Sequence, residues 1–353
     1  MVVELINTGS ELMLGRVLNT HQQWLCRQLA DLGYTVSRQV AVPDTGPDIE
    51  QAVREALSRA DLVLTTGGLG PTSDDITRER IAELLGKSLH EDAGVLARLE
   101  HFFEVRHRTM PERTRLQALI PEGARILQNA HGTAPGLGLQ VNPNPFRPGG
   151  AASWLVMLPG PPRELKPMFT DVVVPLLREV LPPPAAFICR TLRATGIGES
   201  VVEERVGEAL QPLVDAGLEL GYCARPGEVD VRLAARGPGA EDRVRQAELI
   251  VRGKLAAHLF SHEAEELEAV IVRLLTERKQ TLALAESCTG GCIAHRITNV
   301  PGASAVLLAG LVTYSNAAKQ RFLGVKPETL AQHGAVSEPV ARQMAEGARQ
   351  AIG

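Results

Sequence analysis

The 353-residue chain is predicted to be a multidomain α/β protein. Three observations predict it. Strand-like and helix-like segments alternate from residue 1 to about 178, the run "PPP" closes that stretch, and a second strand, glycine turn and helix appear in "TLALAESCTGGCIAHRITN". Short β-rich runs alternating with helical periodicity argue for a mostly parallel sheet covered by helices. The length favours two or three cores over one.

Taken in order, "VVELIN" is a β-rich run, and "NTHQQWLCRQLADLG" has helical periodicity with Asn19 as N-cap and Gly33 as stop. "YTVSRQV" returns to strand, "PDIEQAVREALSRA" to helix, "DLVLT" to strand, and "DITRERIAELLG" is a helix closed by Gly86. The phrases "NTGSELMLG", "PDTG" and "TTGGLGP" each follow a predicted strand, so they share the carboxyl rim of the sheet, where ligands usually sit. After a helical stretch at 91–105 and the Gly/Pro-rich "HGTAPGLGLQVNPNPFRPGG", the strand "SWLVMLPG" brings a fourth loop, "LPGPPREL", to that rim. The helix "ELKPMFTDVVVPLLREVL" then runs into three prolines, which place a boundary near residue 184. Residues 185–258 read as strand, helix, two strands and helix, a small α+β module. A charged helix, "EAEELEAVIVRLLTERK", opens the last segment, so the expected domains are 1–180, 185–258 and 262–353.

Composition narrows the function classes. Hydrophobic residues make up 44%, charged residues 22%, and the net charge is −4, which leaves no basic footprint for nucleic acid or anionic membrane. No stretch approaches the roughly 20 apolar residues that cross a bilayer, and the N-terminus lacks a leader pattern. A cytoplasmic location is expected. The five cysteines are scattered without paired C-x-x-C units, which fits a reduced compartment; Cys288 and Cys292 alone make a poor metal site.

In "TTGGLGPTSDDITRE", Gly67, Gly68 and Gly70 bring bare backbone N–H groups to a helix start, a way to hold a phosphate. The plain structural alternative is a turn closed by a Thr72-x-x-Asp75 capping box. Convergence of four loops brings Ser10, Glu11, Asn19, Asp44, Asp75 and Glu164 to one end of the sheet. "GGLGPTSDDITRE" resembles the signature of the molybdopterin-binding fold, of MoaB/MogA type. "GSELMLG", "NTHQQWL", "GTAPG" and "LPGPPREL" are similar to further blocks of the N-terminal domain of the CinA family, the competence/damage-inducible proteins. This resemblance implies a pocket that cleaves ADP-ribose to AMP and ribose 5-phosphate with a divalent metal such as Mg²⁺ or Co²⁺. Asp44, Asp75 and Glu164 are hard oxygen ligands suited to such an ion; for Asp74, one of two adjacent aspartates at a helix start, a capping role alone is the open alternative. Ser10, Glu11, Asn19, Gly67, Gly68, Gly70, Thr72 and Thr77 are the expected substrate contacts. Non-enzymatic pterin or nucleotide binding, or an interaction role in competence or DNA repair, are the rival readings.

Residues 185–258 resemble the KH-like middle domain of CinA proteins, yet "GIGES" puts Glu199 where a nucleic-acid clamp would want Lys or Arg, and no aromatic platform accompanies it. A spacer or dimer contact is expected, with a homodimer as the assembly.

In the last segment, "AESCTGG" places Ser287, Cys288 and Thr289 at a helix start, while "VLLAGLVTY" ends at Tyr314, with Lys319 following a Ser315 N-cap. Serine, tyrosine and lysine at two strand ends suit amide hydrolysis through an acyl-enzyme: Ser287 attacks, neutral Lys319 takes its proton, and Tyr314 orients. Spacing alone does not choose between Ser287 and Cys288 as nucleophile. "AESCTGG", "VTYSNAAK" and "LAQHGAVSEPVA" are similar to the nicotinamide mononucleotide deamidase domain of CinA, and the resemblance implies Ser287, Tyr314 and Lys319 as the functional set, without a cofactor. It also implies that Thr289, Gly290 and Gly291 hold the substrate phosphate or the oxyanion. His295 and His333 are read as structural. Domains of this kind run several dozen residues beyond "AVSEPVARQMAEGAR", so a shortened domain is expected here, with exposed apolar surface or burial by a partner subunit.

Overall fold

The computed structural model describes residues 1–183, 185–261 and 265–352. The boundary expected at 184, and residues 262–264 where the last segment and its charged helix are read to begin, lie outside the described residues. Two compact units are present, Met1–Phe187 and Ile188–Gly353.

The first unit is a sheet between two helix layers. Its strands are β1 (Val3–Thr8), β2 (Val36–Val42), β3 (Leu62–Thr66), β6 (Arg125–Leu127), β7 (Gly136–Val141) and β8 (Ser153–Leu158), with β4 (Leu89–Glu91) and β5 (Leu119–Pro121) paired apart from it. The order is β2-β1-β3-β8-β7-β6. Strands β2, β1, β3 and β8 run parallel, and β7 and β6 add an antiparallel edge. Every residue of β1, β3 and β8 is buried, as befits central parallel strands covered on both faces. Alternation assigns the faces. Ile6, Val63, Leu155 and Met157 meet α3 (Gly46–Leu57), α4 (Thr77–Leu84) and α5 (Ala93–Glu104); Leu5, Leu64, Val156 and Leu158 meet α2 (Thr20–Asp31), α6 (Pro162–Met168) and α7 (Val174–Val180). The short α1 (Ser10–Met13) follows β1.

The structure adds one strand to the sequence reading and corrects one helix. The Gly/Pro-rich 131–150 stretch, to which the sequence assigns no element, contains β7. Its glycines serve close approach: a Cβ on Gly136 would lie 2.5 Å from Met168 Sδ. The helix expected over 164–181 is interrupted by a π-helical turn at Phe169–Val173. Pro175 has no N–H to continue the ladder, which accounts for the change of pitch there.

The second unit holds two sheets. Strands β9 (Phe187–Thr195), β10 (Leu218–Arg225), β11 (Glu228–Arg236) and β12 (Leu259–Ser261) are ordered β10-β11-β9-β12 and carry α8 (Glu199–Asp215) and α9 (Ala240–Leu255) over Leu192, Val231 and Leu233. Strands β13 (Leu282–Glu286) and β14 (Leu307–Val312) form a parallel pair among α10 (Leu267–Arg278), α11 (Cys292–Thr298), α12 (Asn316–Leu323), α13 (Pro327–His333) and α14 (Glu338–Ile352). Leu308 and Val312 on β14 are about half exposed, at 49% and 50%, so this pair keeps an open apolar face. An ion cluster ties the two parts together. Buried Arg193 meets Glu266 at 2.7 Å, Arg225 meets Asp230 at 2.7 Å, and Arg296 on α11 bridges Glu228 (2.9 Å) and Glu268 (2.7 Å). Glu199, read as a poor nucleic-acid contact, accepts the Ala224 N–H at 3.0 Å and so ties α8 to β10.

Glu248 on α9 gives a pH test of this unit. Burial pushes its carboxyl up, but hydrogen bonds from Arg190 and Arg252 outweigh that and hold it below the usual range. A depressed folded-state value contributes stability above the unfolded value and loses it as pH falls through the folded one. The urea midpoint is therefore expected to fall more steeply below about pH 4.5 in the parent chain than in Glu248→Gln. Parallel acid limbs would contradict this.

Candidate active sites

Loops leaving β1, β2, β3 and β8 enclose a cavity of about 540 Å³ at the carboxyl rim of the first sheet. Glu11, Asp44, Gly67, Gly68, Gly70, Asp75 and Glu164 all line it. The glycine loop is shaped by its neighbours. Gly67 and Gly68 have φ of 99° and 67°, a region that favours glycine, and a Cβ on Gly67 would lie 2.7 Å from the Thr8 carbonyl oxygen. The Gly67 N–H donates to the Leu158 carbonyl at 3.0 Å. The N–H groups of Gly68, Leu69 and Gly70 have no acceptor among the described residues, so the free donors start one residue later than the sequence reading expects.

Four expected contacts do not reach the cavity wall. Asn19 caps α2 by accepting the Gln22 N–H at 3.1 Å. Thr77 is fully buried beneath the glycine loop, 3.3 Å from Thr8 Oγ1. Thr72 donates its N–H to Asp75 Oδ2 at 2.9 Å and closes the turn ahead of α4. Ser10 gives its N–H to Asp44 Oδ2 at 2.7 Å and accepts the Asp44 N–H at 3.1 Å, locking the β1 and β2 loops together.

The three carboxylates expected to hold a metal share the wall, yet no group of three metal-binding side chains exists among the described residues. Each already accepts a protein donor, Glu164 from Asn129 Nδ2 at 2.8 Å. That arrangement does not fit a cage built by the protein. It fits the mode in which one or two carboxylates share an ion with ligand phosphates and water. Sequence reasoning missed His21 and Gln117 on the same wall. Burial and the Lys166 ammonium hold the His21 imidazole below its ordinary value. Gln117 lies in a 3₁₀ turn at Glu112–Ala118 that carries no motif, and only contact with the glycine loop reveals it.

In the second unit, β13 and β14 deliver Ser287 and Lys319 to each other. Lys319 is 1% exposed, and its Nζ lies 2.9 Å from Ser287 Oγ, 2.8 Å from the Thr313 carbonyl and 2.9 Å from the Tyr314 carbonyl. Ser315 caps α12 through the Ala318 N–H at 3.1 Å, which fixes the helix that carries Lys319. Two carbonyls and one hydroxyl surround the buried nitrogen, which donates to all three. Tyr314 meets Lys319 through its carbonyl, and the residue is 75% exposed. Cys288 is exposed.

Of the three residues expected to present donors in the turn after Ser287, Gly290 and Gly291 have their N–H groups occupied, and Thr289 keeps its own. Gly290 N–H bonds to the Ser287 carbonyl at 3.0 Å, Gly291 N–H to Glu286 Oε2 at 3.0 Å, and the Thr289 hydroxyl to the same carboxylate. For Gly291 and the Thr289 hydroxyl the buried Glu286 carboxylate takes the place an external anion would have. The N–H groups of Cys288 and Thr289 have no acceptor among the described residues.

Fold and sites together define a multidomain α/β protein with a molybdopterin-binding type of first domain and a serine–lysine pair in its last. Comparison with known proteins agrees module by module: residues 4–179 match the "Probable molybdopterin binding domain", 189–261 the damage-inducible protein CinA KH domain, and 264–353 the CinA C-terminal domain. A CinA-like protein of Akkermansia muciniphila is 44% identical over 351 residues, 99% of this chain and 81% of that one. Among solved structures, the CinA protein of unknown function from Thermoplasma acidophilum is 33% identical with a TM-score of 0.43, covering 50% of this chain and 97% of its own. The competence/damage inducible protein CihA of Agrobacterium tumefaciens is 48% identical with a TM-score of 0.24, covering 24% and 51%. The chain belongs to the CinA family.

Proposed function

We propose that the protein is a hydrolase with two nucleotide-directed sites, a nicotinamide mononucleotide deamidase in the last segment and an ADP-ribose pyrophosphatase in the first unit. The observation that carries the first activity is the 2.9 Å approach of Lys319 Nζ to Ser287 Oγ with two carbonyls on the same nitrogen. Ser287 Oγ attacks the carboxamide carbon while its proton passes to Lys319 Nζ. The Cys288 and Thr289 N–H groups, without an acceptor among the described residues, would serve the oxyanion. Lys319 returns the proton to the leaving nitrogen, ammonia departs, and an ester to Ser287 remains. Water then cleaves the ester, with Lys319 again taking and returning a proton, to give nicotinate mononucleotide.

For the second activity, the three free N–H groups of Gly68 to Gly70 would hold one phosphate of the diphosphate. A divalent ion held by Asp44, Asp75 or Glu164 together with that diphosphate would neutralise its charge. Adding water across the P–O–P link yields AMP and ribose 5-phosphate.

The test is ammonia release from nicotinamide mononucleotide and AMP release from ADP-ribose with Mg²⁺ or Co²⁺, by the full chain. Absence of AMP would favour pterin or nucleotide binding without cleavage. Glu164→Gln keeps an acceptor for Asn129 but removes the charge, so AMP release is expected to drop roughly 10- to 100-fold with the melting temperature little changed. Unaltered AMP release would remove Glu164 from the site.

A further inference from the structure

Glu286 ends β13 directly before Ser287 and is 2% exposed. Its side chain folds back under the following turn. Oε2 accepts the N–H groups of Gly291 (3.0 Å) and Ile293 (3.1 Å), Oε1 accepts that of Ala294 (2.9 Å), and the Thr289 hydroxyl adds a further donor. No cation pairs with this carboxylate among the described residues. Burial alone would raise its pKa, yet these donors outweigh that and keep it below the usual value, so the acceptor is an ionised carboxylate.

The same residue reaches the other half of the pair. Its carbonyl accepts the Thr313 N–H at 2.9 Å, and the Thr313 carbonyl in turn accepts Lys319 Nζ at 2.8 Å. Glu286 therefore holds the turn that carries Ser287 with its side chain and the strand exit that holds Lys319 with its backbone. Satisfying donors five, seven and eight residues ahead forces the turn to close tightly, with Gly290 and Gly291 at φ of 59° and 96°. An uncompensated buried carboxylate is costly, and a strand end does not otherwise require one.

We propose that Glu286 is a positioning residue for amide hydrolysis: its carboxylate sets the 287–291 turn so that Ser287 Oγ faces Lys319 Nζ and the Cys288 and Thr289 N–H groups stay free for the oxyanion. This rests on the amidase reading above. A misplacement near 1 Å at a reacting atom costs on the order of 100-fold. Glu286→Gln replaces one accepting oxygen with an NH₂ group, which cannot receive the turn's N–H groups.

In the full chain, Glu286→Gln is expected to lower kcat for ammonia release about 100-fold while KM stays within about threefold. Labelling of Ser287 by a fluorophosphonate probe is expected to slow in parallel. In Glu286→Ala, added formate is expected to restore labelling and turnover in a saturable way, which a loss of folding would not allow. A folded Glu286→Gln chain with unchanged labelling and kcat overturns the proposal, as does a Glu286→Ala chain that formate does not restore. If the parent chain labels at Ser287 but releases no ammonia, the amidase reading fails, and the labelling rates of the variants still decide the role of Glu286.

Discussion

Ser287→Ala is expected to lower ammonia release from nicotinamide mononucleotide by about 10⁴-fold or more, and Cys288→Ala to leave it within a few-fold. Both side chains follow the same strand, but only Ser287 Oγ lies within 2.9 Å of Lys319 Nζ, whereas Cys288 is exposed. A thiol is the better nucleophile in the abstract. Position decides against it, because an attacking atom needs a base within hydrogen-bond reach. Lys319→Met should cost about 10³-fold, within the range for loss of a general base, and it leaves no buried charge behind. Ammonia release that survives Ser287→Ala and disappears in Cys288→Ala would transfer the nucleophile to the neighbouring residue.

The second large effect is expected at Gly68→Ala, in the glycine loop of the first unit. Gly68 has φ of 67°, and an added Cβ collides with Thr77 Oγ1 and lies 2.7 Å from Thr77 Cβ. Thr77 is fully buried against Thr8 and cannot turn aside. The left-handed conformation costs about 1–2 kcal/mol in a residue with a Cβ, and overpacking adds about 1–3 kcal/mol. A loss of roughly 2–5 kcal/mol should lower the melting temperature of the first unit by roughly 5–15 °C, and AMP release should fail as the three free N–H groups are displaced. Gly86→Ala is the control: its φ of 61° carries the conformational cost, but no atom lies within 4 Å of the new Cβ. Equal shifts in the two variants would show that the Thr77 contact has no energetic weight.

Much of the fold was legible because its signals are short-range. The strands β1, β3 and β8 show in the sequence as short runs rich in Val, Leu and Ile, and the cap at Asn19 precedes its helix directly. The antiparallel strand β7 escaped because its glycines give no apolar alternation, whereas in the fold Gly136 admits α6 at close range. The motifs marked which loops bear on the sites but not which donors remain free. Thr77, Asn19, Gly290 and Gly291 satisfy partners inside the protein.

By itself the sequence determined the α/β alternation, the order of the modules and the two loops rich in hydroxyl, carboxylate and glycine. Those follow from hydrophobic period, capping and turn chemistry, all of which act within a few residues. Tertiary structure alone decided the 2.9 Å approach of Lys319 to Ser287 from 32 positions away, the bond of Thr77 to Thr8 across 69 positions, and the closing of the turn by Glu286 from below. A polar group's remaining capacity depends on its neighbours in space, and the path of the chain sets those.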